Sequence, residues 1–215
     1  MKKTATIIGA TGLVGSHVLQ ILLNDDRYDS IVVLHRRTTG NSHSKLKEYI
    51  IDFDHPEKWG HLVTGDHLFS VLGTTIKKAG SKEAQYKIDY TYQYEVAKAA
   101  SKNGVTGFAL VSSVGANSES SSFYPRIKGE LDNAVQKLDF EISLILRPSF
   151  LDGNRDEFRL GERIGVPLAK VLCKIPGLKK YHPIKARDVA KAMIEGLNSN
   201  TSGVIENNDI SELSE

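Results

Sequence analysis

Near its first residue the chain reads Thr4-Ala5-Thr6-Ile7-Ile8-Gly9-Ala10-Thr11-Gly12-Leu13-Val14-Gly15. An apolar strand pattern runs into three glycines at three-residue spacing, and a helical pattern begins at the last of them. Gly9 and Gly12 allow a sharp turn close to a ligand, while Gly15 allows the helix to pack on the strand. Free N–H groups at a helix start favour a pyrophosphate, which predicts a dinucleotide site. Its candidate binding residues are Gly9, Thr11, Gly12, Leu13 and Val14.

Short β-rich runs alternate with helical patterns along the chain, which is typical of a parallel sheet covered by helices. The predicted strands are Thr4–Ile8, Ser30–His35, Tyr49–Phe53, His67–Leu72, Gly107–Ser112 and Glu141–Arg147, and the predicted helices are Ser81–Lys102, Tyr124–Leu138 and Ala186–Leu197, with a last strand at Thr201–Glu206. This order predicts an α/β fold, a doubly wound parallel sheet of Rossmann type. Residues 1–215 are expected to form a single domain, in which 148–185 is a loop-rich substrate cap over the carboxyl edge of the sheet.

The composition argues against several classes of protein. The formal net charge is +2 with both signs interspersed, so no nucleic-acid surface is indicated. The single Cys173 fits a reducing compartment, and the seven histidines form no metal-ligand motif. The chain has no apolar run of about 18 residues, and Met1-Lys2-Lys3 leads directly into the first strand, so neither a membrane span nor a signal peptide is expected. These features predict a cytoplasmic, metal-free protein with a small-molecule substrate.

The ends of the second, third and fourth strands carry further candidate cofactor contacts. Arg36 and Arg37 stand where a dinucleotide fold usually has an acidic residue, and an arginine suits a 2′-phosphate. This favours NADP (NADPH) over NAD, the alternative being two solvated surface arginines. Asp52 is a candidate for the adenine amino group, or else a turn or cap residue. The small residues of Leu72-Gly73-Thr74 allow close passage of the cofactor, and the alternative is a plain turn.

The fifth strand ends in Ser112-Ser113 and is followed by Tyr124 and Lys128, which share one face of a predicted helix. A tyrosine phenol has a pKa near ~10, and a neighbouring ammonium lowers it towards the range of a general base. Ser113, or Ser112 in its place, would bind a substrate carbonyl oxygen. Tyr124 would give or take the proton, and Lys128 would hold the nicotinamide ribose. The alternative is that the serines only end a strand and Tyr124 packs in the core.

Together these motifs resemble the short-chain dehydrogenase/reductase superfamily, whose signature is a glycine-rich first turn plus a serine and Tyr-x-x-x-Lys. The glycine spacing is similar to that of its extended and atypical branches. Five segments resemble the atypical group that contains the Tat-interacting oxidoreductase: Leu72–Thr75, Lys78–Gly80, Ser112–Ala116, Lys128–Glu130 and Arg147-Pro148. The resemblance implies a Rossmann fold, NADPH binding and a nicotinamide pocket lined by 148–151, which adds Pro148 and Phe150 to the candidate cofactor contacts. It also implies a regulatory protein partner.

Two departures from that superfamily bear on function. Asp89 stands where many members have a helix asparagine, so no proton-relay role is carried over to it, and the part after Arg147 is short for a nucleotide-sugar epimerase. The sequence therefore predicts an NADP-dependent oxidoreductase that acts on a small carbonyl or alcohol through Tyr124. The alternatives are a redox sensor or regulatory protein that binds NADP(H) without turnover, and an enzyme like a nucleotide-sugar epimerase or dehydratase. An oligomer is left open.

Overall fold

The structure, a computed structural model, describes residues 2–152 and 181–214. Within them the strands are β1 (Lys3–Ile8), β2 (Tyr28–His35), β3 (Leu46–Ile50), β4 (His67–Ser70), β5 (Gly107–Val111), β6 (Ile142–Arg147), β7 (Leu151–Asp152), β8 (Ile184–Lys185) and β9 (Gly203–Glu206). The helices are α1 (Leu13–Leu23), α2 (Pro56–Trp59), α3 (Ile76–Ala79), α4 (Lys82–Tyr86), α5 (Tyr92–Lys102), α6 (Phe123–Val135), α7 (Ala186–Asn198) and α8 (Asn207–Ile210). A π-helical turn, Lys87–Thr91, joins α4 to α5, and 3₁₀ turns lie at Gly60–Leu62 and Glu212–Ser214.

A seven-stranded sheet crosses the described part of the chain in the order β3-β2-β1-β4-β5-β6-β9, and each of its pairings is parallel. β7 and β8 pair separately. The strand order reverses between β1 and β4, where Ile8 is level with Leu34 on one side and with Ser70 on the other. This confirms the doubly wound Rossmann-type sheet. In such sheets a ligand lies beyond the carboxyl ends of the strands at this reversal.

Two apolar layers bury the sheet, because successive strand residues point to opposite faces. Ile7 lies in the layer that contains α1 and α7, and its neighbour Ile8 lies in the layer that contains α5 and α6. Val33 and Leu34 of β2 divide in the same way. Both faces of the central strands are therefore buried, which explains why their sequences read as unbroken apolar runs.

The third strand lies three residues earlier than predicted, at Leu46–Ile50 instead of Tyr49–Phe53. β3 is an edge strand that pairs only with β2. Ile51 and Phe53, which belong to the predicted strand, follow its last residue. Phe53 instead packs against Trp59 and Tyr92, at ring-centroid distances of 5.9 and 5.2 Å. The prediction that Asp52 lies at a strand end is therefore wrong.

The predicted helix Ser81–Lys102 is interrupted by the π-helical turn Lys87–Thr91. Ser81 begins it, since its hydroxyl oxygen accepts a hydrogen bond from the Ala84 N–H at 3.1 Å. Of the predicted cap, 148–152 and 181–185 are described, and 153–180 lie outside the described residues. No helix within the described ranges is long and apolar enough to span a membrane.

Candidate cofactor and catalytic site

The glycine turn is packed so tightly that side chains would not fit in it. Gly9 has φ +84°, and a Cβ there would lie 2.6 Å from the backbone of Val71. A Cβ at Gly15 would lie 2.1 Å from the carbonyl oxygen of Gly9. The Gly12 N–H donates to that same oxygen at 2.9 Å. The turn therefore lies directly against the end of β4 and the first turn of α1, which requires glycine.

The start of α1 presents free hydrogen-bond donors at the carboxyl edge of the sheet. Gly12 is the N-cap, no side chain of the described residues caps the helix, and its first turn contains no acidic residue. Thr11 is exposed and Leu13 is half-buried beside it, whereas Val14 is buried. The unneutralised positive end of the helix fits an anionic group such as a pyrophosphate.

Arg36 and Arg37 follow β2 directly, and both are exposed. Neither makes an ion pair within the described residues, so both guanidinium groups are available to a phosphate. The loop after them is held by Glu48 of β3, which accepts hydrogen bonds from the Thr38 hydroxyl at 2.8 Å and the Thr39 N–H at 2.9 Å. Glu48 was missed by sequence reasoning, because an acidic residue on an edge strand gives no local sign of such a role.

A buried histidine, His35, ends β2 immediately before these two arginines. The His35 side chain is 6% exposed, and neither ring nitrogen makes a hydrogen bond within the described part of the chain. Its Nε2 lies 3.7 Å from Glu48 Oε1. Burial lowers the pKa of His35, and the Glu48 carboxylate opposes that effect. We therefore expect His35 to be neutral at physiological pH.

Asp52 lies in a turn after β3. Its Oδ1 accepts the Asp54 N–H at 3.1 Å, its carbonyl oxygen accepts the Trp59 indole N–H at 2.9 Å, and its side chain is 66% exposed. The geometry is that of the turn residue considered as the alternative. Contact with an adenine amino group remains a prediction.

A buried polar network holds the segment after β4. Asp89 Oδ1 accepts the Thr74 N–H at 2.8 Å, and Gln85 Nε2 donates to Asp89 Oδ2 at 3.0 Å. Gln93 Nε2 donates to the Asp89 carbonyl oxygen at 2.8 Å. Asp89 is fully buried within the π-helical turn, and a Cβ at Gly73 would lie 3.7 Å from its carboxylate. Asp89 therefore fixes the backbone of Gly73 and Thr74, a role that the sequence did not reveal.

The candidate serines lie where β5 ends beside β6. The Ser112 N–H donates to the Leu146 carbonyl at 2.8 Å, and the Val114 N–H donates to the Pro148 carbonyl at 2.9 Å. Ser113, between them, is half-buried, whereas Ser112 is 4% exposed. The segment that carries Ser113 is thus joined by backbone hydrogen bonds to the segment that carries Pro148.

Tyr124 and Lys128 lie in the first two turns of α6. Lys128 is 3% exposed, and its Nζ donates to the Val111 carbonyl at 3.2 Å, at the end of β5. Tyr124 is half-buried one turn earlier. The structure therefore brings the lysine to the strand that Ser113 follows.

The loop between β5 and α6 crosses the helix at Gly129. A Cβ at Gly129 would lie 2.2 Å from the Ser118 nitrogen, and the Asn117 N–H donates to the Pro125 carbonyl at 3.0 Å. Only glycine allows this backbone contact. The loop is thereby fixed on α6 next to Lys128.

The segment after Pro148 is anchored to the C-terminal part of the chain. Asn207 Oδ1 accepts the Ser149 N–H at 2.8 Å, and Asn207 Nδ2 donates to the His182 carbonyl at 2.9 Å. The carbonyl of Phe150 accepts the Ile184 N–H at 3.0 Å. Asn207 was also missed in the sequence, since only the fold brings it to Ser149. No group of three or more His, Cys, Asp or Glu side chains that could hold a metal ion occurs in the parts of the chain described.

Solved structures with the same fold bind dinucleotides. The chain is similar to the Bordetella bronchiseptica enzyme WbmH in complex with NAD+, with a TM-score of 0.73 and 17% identity over 96% of this chain and 75% of that one. It is also similar to the human epimerase family protein SDR39U1 with NADPH, with a TM-score of 0.66 and 16% identity over 94% and 72% of the two chains. At these identities the likeness concerns the fold alone.

A curated relative corrects the expected location. The chain is 40% identical over 202 residues to "Protein FMP52, mitochondrial" of Candida albicans. The aligned region covers 88% of this chain and 85% of the relative. Further relatives down to 33% identity are also named mitochondrial. The prediction of a cytoplasmic protein is therefore wrong.

The sequence profile of one family covers most of the chain. It is described as NAD(P)H-binding, and it matches residues 9–200, from the first glycine of the turn to the end of α7 and beyond. The match agrees with the Rossmann-type sheet and with the tightly packed glycine turn. The chain therefore belongs to the NAD(P)H-binding family.

Proposed function

We propose that the chain is an NADP(H)-dependent oxidoreductase of the short-chain dehydrogenase/reductase type that acts on a small carbonyl or alcohol. One observation carries the proposal. The buried Lys128 ammonium lies 3.2 Å from the carbonyl oxygen of Val111, at the end of the strand that Ser113 follows and one helical turn from Tyr124. A cation at this point can hold the ribose of a bound cofactor, and beside Tyr124 it also favours the phenolate that proton transfer requires.

The cofactor contacts proposed here follow the carboxyl edge of the sheet. The turn at Gly9–Val14 would hold the pyrophosphate, Arg36 and Arg37 the 2′-phosphate, and Leu72-Gly73-Thr74 the middle of the cofactor as it crosses the sheet. Pro148 and Phe150 would line the nicotinamide pocket. When bound, the nicotinamide supplies or accepts the hydride of the reaction.

The chain's own residues would bind the substrate and handle the proton. Ser113 Oγ would donate a hydrogen bond to the substrate oxygen, with Ser112 as the alternate donor. Tyr124 Oη would donate a proton to that oxygen in reduction and accept it in oxidation. The Lys128 ammonium favours the phenolate form of Tyr124, and its remaining N–H groups can hold ribose hydroxyls.

The substitution Tyr124→Phe tests the catalytic assignment. Turnover across a panel of small carbonyls should fall by about 10²–10⁴-fold, because the proton donor is removed. NADPH affinity, measured by fluorescence titration, should change little. The matched control is Tyr49→Phe, which removes a hydroxyl from an exposed tyrosine on the edge strand β3.

Three results would point elsewhere. Unchanged turnover in Tyr124→Phe would reject the catalytic assignment. Tight NADPH binding by a wild-type protein that reduces no carbonyl would favour a redox sensor or regulatory protein. Tight binding of a nucleotide sugar would favour the epimerase-like alternative.

The cofactor preference is tested by titrating NADPH and NADH. We expect Arg36→Ala or Arg37→Ala to weaken NADPH binding by about 10–100-fold, the loss of one charge-assisted interaction with a phosphate, without a comparable effect on NADH. The matched control is Lys47→Ala, which removes an exposed cation from β3. Equal affinities of the wild type for NADPH and NADH would contradict the proposal.

Two finer assignments accompany the proposal. The segments Leu72–Thr75 and Lys128–Glu130 support membership of the atypical group that contains the Tat-interacting oxidoreductase. The names of the curated relatives support a mitochondrial location for this chain. Fractionation of cells that express the full chain tests the location, and recovery outside mitochondria would contradict it.

A further inference from the structure

A buried ion pair lies behind the candidate catalytic residues and has no part in the proposed chemistry. Asp132 of α6 is fully buried, and Arg147 Nε and Nη2 of β6 both lie 3.0 Å from its Oδ2. Arg147 Nη1 also lies 3.1 Å from Glu206 Oε1 at the end of β9. The pair therefore joins α6 to two neighbouring strands.

The pair has charged or polar neighbours on α6, on β9 and at the end of β5. Lys128 lies one turn before Asp132 on α6, Arg147 comes from β6 with Glu206 of β9 behind it, and Ser112 comes from the end of β5. Ser112 Oγ and Asp132 Oδ1 are both buried without a well-formed hydrogen bond to the described residues. Burial raises the pKa of Asp132, while Ser112, Arg147 and Lys128 act in the opposite direction. The two close contacts with a guanidinium that keeps its proton hold Asp132 as a carboxylate.

Stability alone does not call for this arrangement. A buried ion pair costs desolvation, and replacing both partners by neutral groups of similar size is often harmless. The position of the pair is more informative. Asp132 follows Lys128 by one helical turn, and Arg147 immediately precedes Pro148, whose carbonyl binds the Val114 N–H. Asp132 also faces Ser112, so the pair adjoins the residue before Ser113 and contains the residue before Pro148.

We propose that Asp132 and Arg147 are positioning residues that hold Lys128 and Pro148 in place and balance the charge behind the candidate catalytic site. The inference rests on the proposed function. Asp132 offsets Arg147, and Glu206, the second partner of Arg147, is half-exposed, so the Lys128 ammonium is the remaining buried charge of this group. Removal of Asp132 alone would leave Lys128 and Arg147 with only the half-exposed Glu206 as a counter-charge.

The sign and size of the expected shift in the Tyr124 titration follow from these charges. Asp132→Asn removes one negative charge and leaves Lys128 and Arg147 with only the half-exposed Glu206 as a counter-charge, which favours the Tyr124 phenolate, so Tyr124 should titrate at lower pH. Positions 124 and 132 are separated by a rise of about 12 Å along the helix. At an effective dielectric constant of about 20, one charge at that distance shifts a titration by about one pH unit.

The experiment is a spectrophotometric titration of tyrosinate in the full chain. Each variant is compared with the same variant carrying Tyr124→Phe, and the difference isolates Tyr124 from the other seven tyrosines. Asp132→Asn should move this titration down by about one pH unit. Asp132→Asn with Arg147→Gln, which removes both charges, should return it to the wild-type position. Glu141→Gln, the same charge change on an exposed residue before the amino end of β6, should leave it unmoved.

The outcomes separate the inference from the proposed function. If Tyr124 titrates at the same pH in Asp132→Asn as in the wild type, or shifts equally in the single and double variants, the positioning role is overturned. If the single variant does not fold, a folded double variant with the wild-type titration supports the charge balance, and failure of both overturns it. None of these readouts requires turnover, so an inactive wild type with the expected shifts would reject the proposed reaction alone.

Discussion

Single glycines in this chain differ in what a side chain would meet. At Gly15 the nearest atom to an added Cβ is a backbone carbonyl oxygen that cannot move aside, since Gly9 is itself fixed against Val71. The spacing of the glycines was enough to predict this packing. The equally tight Gly129 could not be predicted in that way, because its neighbour Ser118 comes from a loop that only the folded chain brings onto α6.

Gly15→Ala should therefore destabilise the protein, although alanine usually stabilises a helix relative to glycine by about 1 kcal/mol. The clash at 2.1 Å must displace α1 or the turn, at a cost of about 1–3 kcal/mol, and NADPH binding should weaken with it. Urea unfolding and fluorescence titration measure the two effects. Gly60→Ala is the control, since its added Cβ would lie 3.8 Å from Ala99 Cβ, an ordinary contact. A Gly15→Ala protein as stable as the wild type would contradict the prediction.

Among the secondary structure elements, the central strands buried on both faces were predicted closely, and so was α7, whose predicted bounds differ from those observed by one residue. The predicted bounds of β1, β2, β5 and β6 lie within two residues of those observed, because apolar runs on central strands have one interpretation. The edge strand β3 was displaced, since three of its five residues are exposed and none is fully buried, which gives a weak pattern. The break between α4 and α5 was missed because Asp89, Gln85 and Gln93 satisfy one another through the fold. Spacing alone does not reveal such a network.

The π-helical turn offers a test at this level, through Asp89→Asn. The new amide can still accept from the Thr74 N–H, but its own N–H₂ would then face the Gln85 N–H₂, which leaves buried donors unpaired. We expect a loss of about 1–3 kcal/mol in the free energy of unfolding and weaker NADPH binding, because Gly73 and Thr74 lose their support. Glu83→Gln on α4, which is exposed, is the matched control. A stabilised Asp89→Asn protein that binds NADPH normally would reject this role.

Considered as a whole, the molecule separates a candidate site at the carboxyl edge of the sheet from a buried polar chain at the amino edge. Lys3 Nζ donates to Asn198 Oδ1 at 2.8 Å, Asn198 Nδ2 donates to the Tyr28 hydroxyl at 2.9 Å, and that hydroxyl lies 2.7 Å from His67 Nδ1. Burial raises the pKa of Tyr28, so it remains a donor and His67 must accept. These four residues join β1, β2, β4 and α7 far from the site.

Acid should therefore weaken the fold through His67 before it protonates most carboxylates. Burial lowers the pKa of His67 to about 4 from 6.5, with Lys3 adding to the effect. Between these values the unfolded chain binds the proton and the folded chain does not, so stability is full above about pH 6.5 and falls as the pH drops to about 4. The total loss is about 3 kcal/mol. His67→Asn keeps an acceptor for Tyr28 but cannot titrate, so its free energy of unfolding should fall less steeply over this range. The exposed His61→Asn, unfolded in urea in parallel, is the matched control, and an equal change of slope in both variants would contradict the assignment.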